Sequence, residues 1–406
     1  MKVALVDVNY GSSSTGKIVS DLVTGLSRRG HHAIALYGRD SGVSDSGVAV
    51  KISSSLEVLF HALATRVSGL TDGFSPFATK RLIRQLELLE PDVVHLHDIH
   101  GYFVNIADLC NYLKSRRIAT VWTFHCEFMY TGRCGYAMDC EGWKNGCEQC
   151  PDLSRYPKTW LFDFAGRMYK RKRDLFADFE RLQLAAPSEW LASRMRQSIV
   201  RGKPIEVVPN GLNTHVFHPR EVGGLKTEMG LEGKYCVLSV GADLLSERKG
   251  GRWVVELAKR FEGEDEVIFL MVGVDSLPSS NPTNVIMLPR IEDQAKLAEL
   301  YSLGDVLLLP SEKETFSMVT AEALACGLPV AGFDSGAPRE VAPGSFGSFV
   351  SYGDLDALEA LLRTVCSGTA GLKSAAECVE LAESRYSQEA MVMAYEAIYQ
   401  RVIESI

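Results

Sequence analysis

The chain has 406 residues, 46% hydrophobic and 23% charged, which is enough to bury two separate cores. Its formal net charge of −8 argues against a general nucleic-acid binder. No apolar run approaches the roughly 18 residues a membrane-spanning helix needs. The opening Met1-Lys-Val-Ala-Leu-Val-Asp-Val8 is too short an apolar stretch for a signal-peptide core, so a cytoplasmic protein with ten reduced cysteines is expected.

In chain order, Val3–Val8 reads as a first strand, followed by strands at His32–Leu36, Val93–Leu96, Ala119–Thr123 and Leu182–Ala186. Ile18–Leu26, Thr79–Leu89 and Ile106–Leu113 have helical spacing. The first strand runs into Gly11-Ser-Ser-Ser-Thr-Gly-Lys-Ile18, which matches the Gly-x4-Gly-Lys of a phosphate-binding P-loop. Ile18, however, stands where Ser or Thr should hold magnesium. Thr15, Gly16 and Lys17 are the residues of interest here, and a loop that only caps the first helix is the competing reading.

His125 ends Ala119-Thr-Val-Trp-Thr-Phe-His125, and strand carboxyl ends face the ligand crevice in open α/β sheets. His95, His97, Asp98 and His100 crowd the end of the preceding strand, a grouping that also suggests a metal site. Cys126 follows directly, then Cys134-x5-Cys140-x6-Cys147-x2-Cys150. Four reduced thiols with one Cys-x-x-Cys suit a tetrahedral zinc, and a segment with little apolar material would gain from such a staple. Disulfides and plain thiols are the alternatives. Next, Lys170-Arg-Lys-Arg173 lies in an expected helix behind Trp160, Leu161, Phe162, Phe164 and Met168. Basic residues beside exposed aromatics can hold a protein on anionic lipid. A solvated helix face with the aromatics packed inward is the plainer reading.

Val208-Pro-Asn-Gly-Leu-Asn-Thr-His-Val-Phe-His-Pro219 breaks the periodicity and marks a domain boundary. Beyond it the pattern repeats, with strands at Cys236–Val240, Val267–Val272 and Val306–Leu309 and helices at Trp253–Phe261, Ala295–Leu303 and Leu355–Val365. Such alternation argues for parallel sheets covered on both faces. Lys249, with Arg248, lies between a strand and a helix, where a cation can neutralise charge on a departing diphosphate. A helix over Met318–Cys326 is expected, with Thr315 or Ser317 as N-cap and Gly327 as its end. Its N-terminus offers free N–H groups to an anion. Glu314 precedes that terminus and Glu322 sits about one turn inside. Two carboxylates around a phosphate site suit a ligand with hydroxyls on both sides of a diphosphate, such as a nucleotide-sugar. Ser387–Ile406 reads as a last helix.

The stretch from Glu314 to Val330 resembles the Glu-x7-Glu signature of retaining glycosyltransferases of family 4, including the trailing Glu322-Ala-Leu-Ala-Cys-Gly-Leu-Pro-Val330. Pro209-Asn-Gly211 is similar to the family's inter-domain segment, and Arg248-Lys-Gly250 to its Arg-Lys-Gly motif. Ala242 departs from the pattern, standing where many relatives carry an arginine; either Arg248 covers that loss or a smaller binding contribution is tolerated. The resemblance implies an α/β protein of the GT-B fold, with two Rossmann-like domains facing each other across a cleft. Residues 1–207 would form the acceptor-side domain with a Cys-rich insertion at 126–151. Residues 208–385 would bind the nucleotide-sugar, and 386–406 would return to the first domain.

The same resemblance assigns roles. Glu314 would contact the donor sugar and Glu322 the ribose. Lys249 and Arg248 would face the diphosphate, with the helix start at Phe316, Ser317 and Met318. The loop with Arg290 and Ile291 would meet the base. His125 would touch the donor sugar or the acceptor, and Thr15 and Gly16 would lie in a glycine-rich loop near the diphosphate or acceptor. The implied reaction is retaining transfer from a UDP- or GDP-sugar to a glycan, carried on lipid, in bacterial surface polysaccharide synthesis. No catalytic metal and no nucleic-acid partner are expected, and a peripheral contact with the inner membrane face is. The alternatives are a P-loop phosphotransferase built on Lys17 and a non-catalytic nucleotide-sugar-binding protein.

Overall fold

A computed structural model describes residues 1–39, 47–275 and 282–404. It divides into two compact units, Met1–Gly211 with Gln388–Ile406, and Leu212–Ser387. The first unit runs β1 (Lys2–Asp7), α1 (Ser13–Arg28), β2 (His32–Tyr37), β3 (Ala49–Lys51), α2 (Ser55–Ser68), α3 (Pro76–Leu89), β4 (Val93–Leu96), α4 (Ile106–Ser115), β5 (Ala119–Thr123), α5 (Ala165–Ala177), β6 (Leu182–Ala186), α6 (Glu189–Arg196) and β7 (Ile205–Val207). Its sheet has the order β3-β2-β1-β4-β5-β6-β7, with every described pairing parallel. Every residue of β4, β5 and β6 is buried, as expected for strands covered on both faces by helices.

The second unit runs α7 (Gly223–Glu228), β8 (Tyr235–Val240), α8 (Gly251–Arg260), β9 (Val267–Val272), β10 (Val285–Leu288), α9 (Gln294–Leu303), β11 (Val306–Leu309), α10 (Met318–Ala325), β12 (Val330–Phe333), α11 (Pro338–Val341), β13 (Gly347–Val350), α12 (Leu355–Cys366) and α13 (Ala375–Tyr386). The order is β10-β9-β8-β11-β12-β13, again parallel. Each sheet starts in the middle, winds one way, then returns to wind the other way. The reversal falls between β1 and β4 in the first unit and between β8 and β11 in the second. Ligands of open α/β sheets bind outside the strand carboxyl ends at this switch point.

The final helix, α14 (Gln388–Glu404), belongs to the first unit. Val392 of α14 packs so closely on Gly25 of α1 that a β-carbon there would sit inside the valine. Tyr395 and Tyr399 hydrogen-bond Thr123 and His95 at 2.8 and 2.7 Å. The divisions fall after Gly211 and Ser387, not after 207 and 385. Val208 N–H donates to Ala186 O, and Gly211 N–H to the Met391 sulfur, so these residues stay with the first sheet.

Two expectations need correction. The segment 126–151 is not poor in apolar anchors. Phe128, Tyr130 and Trp143 are buried in the first unit's core. In the basic tetrad Lys172 is not on a solvated face. It is buried, and its ammonium donates to the carbonyls of Phe128, Thr131 and Gly132.

Candidate functional site

At the switch point of the second unit, the loops after β8 and β11 are zipped together. Glu312 N–H donates to Arg248 O at 2.9 Å, and the Arg248 guanidinium donates to Lys313 O at 3.2 Å. Gly250 is left-handed at φ 72°, and a β-carbon there would collide with the Pro310 carbonyl, so only glycine permits this approach. On the far side Glu314 N–H donates to Ser335 O at 2.8 Å and Glu314 O accepts from Ala337 N–H at 3.1 Å. The Glu314 backbone is therefore pinned to residues 335–337, and the two residues before it to Arg248.

Its carboxylate meets two cations. Lys249 Nζ lies 2.6 Å and Arg248 Nη1 3.6 Å from Glu314 Oε1. Burial pushes the Glu314 carboxyl up, but Lys249 and Arg248 outweigh it and hold the group below its usual range. Two cations against one carboxylate leave the cluster with a net positive charge, next to the start of α10. Ser317 caps that helix, its Oγ accepting from Thr320 N–H at 3.3 Å, whereas Thr315 precedes the cap. Ser317 is left-handed at φ 78°, a costly conformation for a non-glycine residue and one that clusters at functional sites. Met318 opens the helix. The Phe316 ring turns into the core, edge-on to Tyr386 at 5.8 Å, so Phe316 can offer a ligand its backbone and not its ring.

One turn into α10, Glu322 Oε2 accepts from the Tyr301 hydroxyl at 2.8 Å. Tyr301 is fully buried, and burial beside Glu322 pushes its phenol well above the ordinary range, so it stays a donor. After β10, Arg290 is exposed and its N–H donates to Asp275 Oδ1 at 3.2 Å, while Ile291 packs against the core. Glu314, Lys249, Arg248, Ser317 and Glu322 thus share one neighbourhood, with Arg290 and Ile291 on a separate loop of the same unit.

The first unit has its own cluster. His125 is buried, with Nε2 3.0 Å from His97 Nδ1, and burial lowers it to about 4. His95 is held between Thr123 and Tyr399 at 2.8 and 2.7 Å, a structural role. Gly16 is buried at the start of α1, where a β-carbon would press on Asn9 at 3.0 Å, and Thr15 precedes it. Ile18 is buried in the core. The position that holds magnesium in a P-loop is therefore an apolar packing position here. Sequence reasoning missed Asp7, which ends β1 and accepts N–H bonds from Asp98 at 3.0 Å and Asn9 at 3.2 Å. Burial raises it to about 7. A carboxylate closing the first strand was the available signal. Tyr301 was missed too, since nothing in its local sequence marks a hydroxyl aimed at Glu322.

Cys134, Cys140, Cys147 and Cys150 are free thiols that line one pocket, together with Arg133 and Arg155. Arg171 of the basic tetrad pairs with Asp72 at 3.1 Å, while Lys170 and Arg173 are exposed. Trp160, Leu161 and Phe162 are exposed instead of packed inward.

Two protein-family descriptions match this chain. "Glycosyltransferase Family 4" covers residues 15–216 and "Glycosyl transferases group 1" covers residues 234–367. Among curated relatives, the chain is 28% identical over 319 residues to a provisionally named colanic acid biosynthesis glycosyl transferase, WcaC, of Escherichia coli (strain K12), covering 77% of each chain. Among solved structures it resembles sucrose-phosphate synthase from Thermosynechococcus elongatus, with a TM-score of 0.72 and 16% identity over 100% of both chains. It also resembles Anabaena Alr3699/HepE in complex with UDP-glucose, with a TM-score of 0.65 and 13% identity over 99% of this chain and 100% of that one. At such identities these structures show the fold alone, and that fold is GT-B.

Proposed function

The chain belongs to the glycosyltransferase family that these two descriptions define, and from that premise we propose that it transfers a sugar from a nucleotide-sugar to a glycan with retention of configuration. The observation that carries this reading is the Lys249–Glu314–Arg248 cluster at the start of α10. Its surplus positive charge and the helix N-terminus favour a diphosphate. Glu314, pinned by its backbone, orients the sugar, and Glu322, held by Tyr301, takes the ribose hydroxyls. Arg290 and Ile291 lie on the loop we assign to the base. In the reaction the acceptor oxygen bonds to the anomeric carbon as the bond from that carbon to the diphosphate breaks on the same face. The departing phosphate oxygen takes the acceptor proton, and Lys249 and Arg248 balance its charge. On this reading the step takes its balancing charge from Lys249 and Arg248, so transfer should survive EDTA in short assays.

The fold neighbour solved with UDP-glucose makes a UDP-sugar the first donor to test, with GDP- and ADP-sugars beside it. Binding stabilises the protein by RT ln(1 + [L]/Kd), so the right donor should raise Tm and the others should not. Transfer of labelled sugar from that donor is the expected result. Stabilisation by ATP alone, with phosphotransfer that depends on Lys17, would overturn the reading in favour of a P-loop enzyme. Donor binding without transfer to any glycan would favour a non-catalytic binding protein.

The WcaC likeness points to surface polysaccharide synthesis, and one surface feature points to a lipid-borne acceptor on the inner membrane face. No described helix is long and apolar enough to cross a membrane. Yet Leu56, Leu59, Phe60, Leu63 and Val67 of α2 are exposed, at spacings that place them on one helix face. The exposed Trp160 adjoins α2, its backbone N–H donating to Arg66 O at 2.8 Å and its ring lying under the Arg66 guanidinium. An apolar helix face with cations beside it suits an anionic bilayer. Co-sedimentation with phosphatidylglycerol vesicles should fall in Phe60→Asp. No binding to either vesicle would remove the membrane from this reading, and equal binding to neutral vesicles would remove its preference for anionic lipid.

A further inference from the structure

We infer that Cys134, Cys140, Cys147 and Cys150 ligate one structural zinc ion. All four are half-buried and line a single small pocket of about 20 Å³, room for one ion-sized sphere. Backbone N–H groups already aim at two of the sulfurs, Gly132 at Cys147 from 3.1 Å and Gly142 at Cys140 from 3.4 Å. Such N–H···S bonds are what ligating thiolates use to disperse charge. Cys147 holds a left-handed backbone at φ 51°, a costly conformation that ligation would help to fix.

The surrounding charge agrees. A zinc tetrathiolate carries two negative charges, the ion displacing one proton from each thiol. Two buried cations stand by the segment. Arg133 reaches Cys150 at 4.0 Å, and Lys172 is held over the carbonyls of the loop that carries Cys134. The other hydrogen bonds of Arg133 run to the carbonyls of Asp152 and Pro157, and burying a cation is expensive unless an anion balances it, whereas Lys172 already has the Asp72 carboxylate nearby. The segment 126–151 is also long and almost without regular structure, apart from one turn at Gly142–Lys144. Phe128, Tyr130 and Trp143 anchor it to the core, and an ion would tie the four cysteines between and beyond those anchors to one another.

The sulfurs must close further to bind. Among the described residues, the group of three ligand atoms within 4.8 Å of one another is Asp98, His100 and Cys126, not three of these cysteines. Zinc–sulfur bonds of about 2.3 Å in a tetrahedron put the sulfurs about 3.8 Å apart. Loading therefore draws the four together and tightens the loop. Cys126 makes weak contacts of 3.9 and 3.8 Å with Asp98 and His100, and that mixed trio is the competing location.

The test uses the full chain, purified under reducing conditions, and does not depend on transferase activity. Metal analysis should find about one zinc per chain. Cys147→Ser and Cys150→Ser should lose it, and Cys126→Ser should keep it. Cobalt exchanged into the wild-type protein should give the intense sulfur-to-metal absorption of a four-thiolate tetrahedral site, which needs no variant to fold. Zinc-free protein, four reactive thiols that zinc fails to protect, disulfide-linked peptides, or zinc lost in Cys126→Ser and retained in Cys147→Ser would each overturn the assignment.

Discussion

The two sheets share one order over six strands, the first adding a seventh at its edge, and their switch points hold opposite electrostatics. In the second unit, the ends of β8 and β11 carry full charges, with Lys249 and Arg248 against Glu314. In the first unit, the ends of β1, β4 and β5 carry groups that burial drives toward neutrality, with Asp7 raised to about 7 and His125 lowered to about 4. A charged cluster beside a helix N-terminus attracts and stabilises a diphosphate. A neutral, buried cluster offers directional hydrogen bonds without that attraction, which suits a hydroxyl-bearing ligand. The same topology places both sites, and the residues at the strand ends decide their chemistry.

The sharpest way to break this contrast is to remove its central charge. Lys249→Ala should cost on the order of a hundredfold or more in kcat, as other electrostatic stabilisers do, in a protein that remains folded by circular dichroism. A loss of similar size in His125→Ala would erase the distinction between the two clusters. Glu322→Ala should come next, raising the donor Kd by about tenfold to a hundredfold, the range for a hydrogen bond to a charged group. Its kcat at saturating donor should hold, because the ribose does not react. A collapse of kcat with unchanged donor affinity would move Glu322 from binding to chemistry. His125→Ala should be milder, about tenfold in kcat/KM for the acceptor with the donor Kd unchanged, the worth of one neutral hydrogen bond.

Much of the second unit was legible in the sequence because its signals are local. The run Val306–Leu309 is a buried strand, Ser317 is the cap of α10, and Glu314 and Glu322 take their places from that helix alone. The contact that joins Lys249 to Glu314 spans 65 residues, and only the resemblance put both near one ligand. The strands that went unread, β3, β7, β10, β12 and β13, have three or four residues each. β3 and β7 have three residues each, and β12 contains Gly332, which packs against the Leu309 carbonyl where a β-carbon would collide. α2 escaped notice because its apolar face points outward, so neither its role nor its partner is encoded in core packing. Asp7 was passed over for another reason, because its one signal has a plainer meaning. A carboxylate closing an apolar strand looks like a strand end facing solvent, and only the fold brings the Asp98 backbone over it and buries Asp7.

The smallest effect probes the neutral cluster through pH. His61 and His125 are lowered to about 4 and His100 to about 3, and His95 and His97 are also lowered well below the ordinary range, with burial the main cause in each. An unfolded imidazole takes a proton as pH falls through about 6.5, which the folded one refuses until far lower. These histidines therefore contribute stability that is fully present above about pH 6.5 and is lost as pH falls toward 4. Buried carboxyls in the same unit act with the opposite sign. Asp7 is raised to about 7 and Asp21 to about 6, and Asp98 and Asp72 are raised as well, chiefly by burial. Their folded forms keep a proton that the unfolded chain has released, so their contribution is present at low pH and fades as pH rises through the folded values. The two slopes offset each other between about pH 4 and 6.5, and the wild-type Tm should change little there on account of these groups. Asp7→Asn removes one carboxyl and leaves the histidines. Its stability should then fall more steeply in acid than the wild type's, by up to one proton's worth, about 1.4 kcal/mol per pH unit. Parallel Tm profiles for the two proteins from pH 4 to 7 would mean that Asp7 is ionised in the folded state, and that the first switch point is charged like the second.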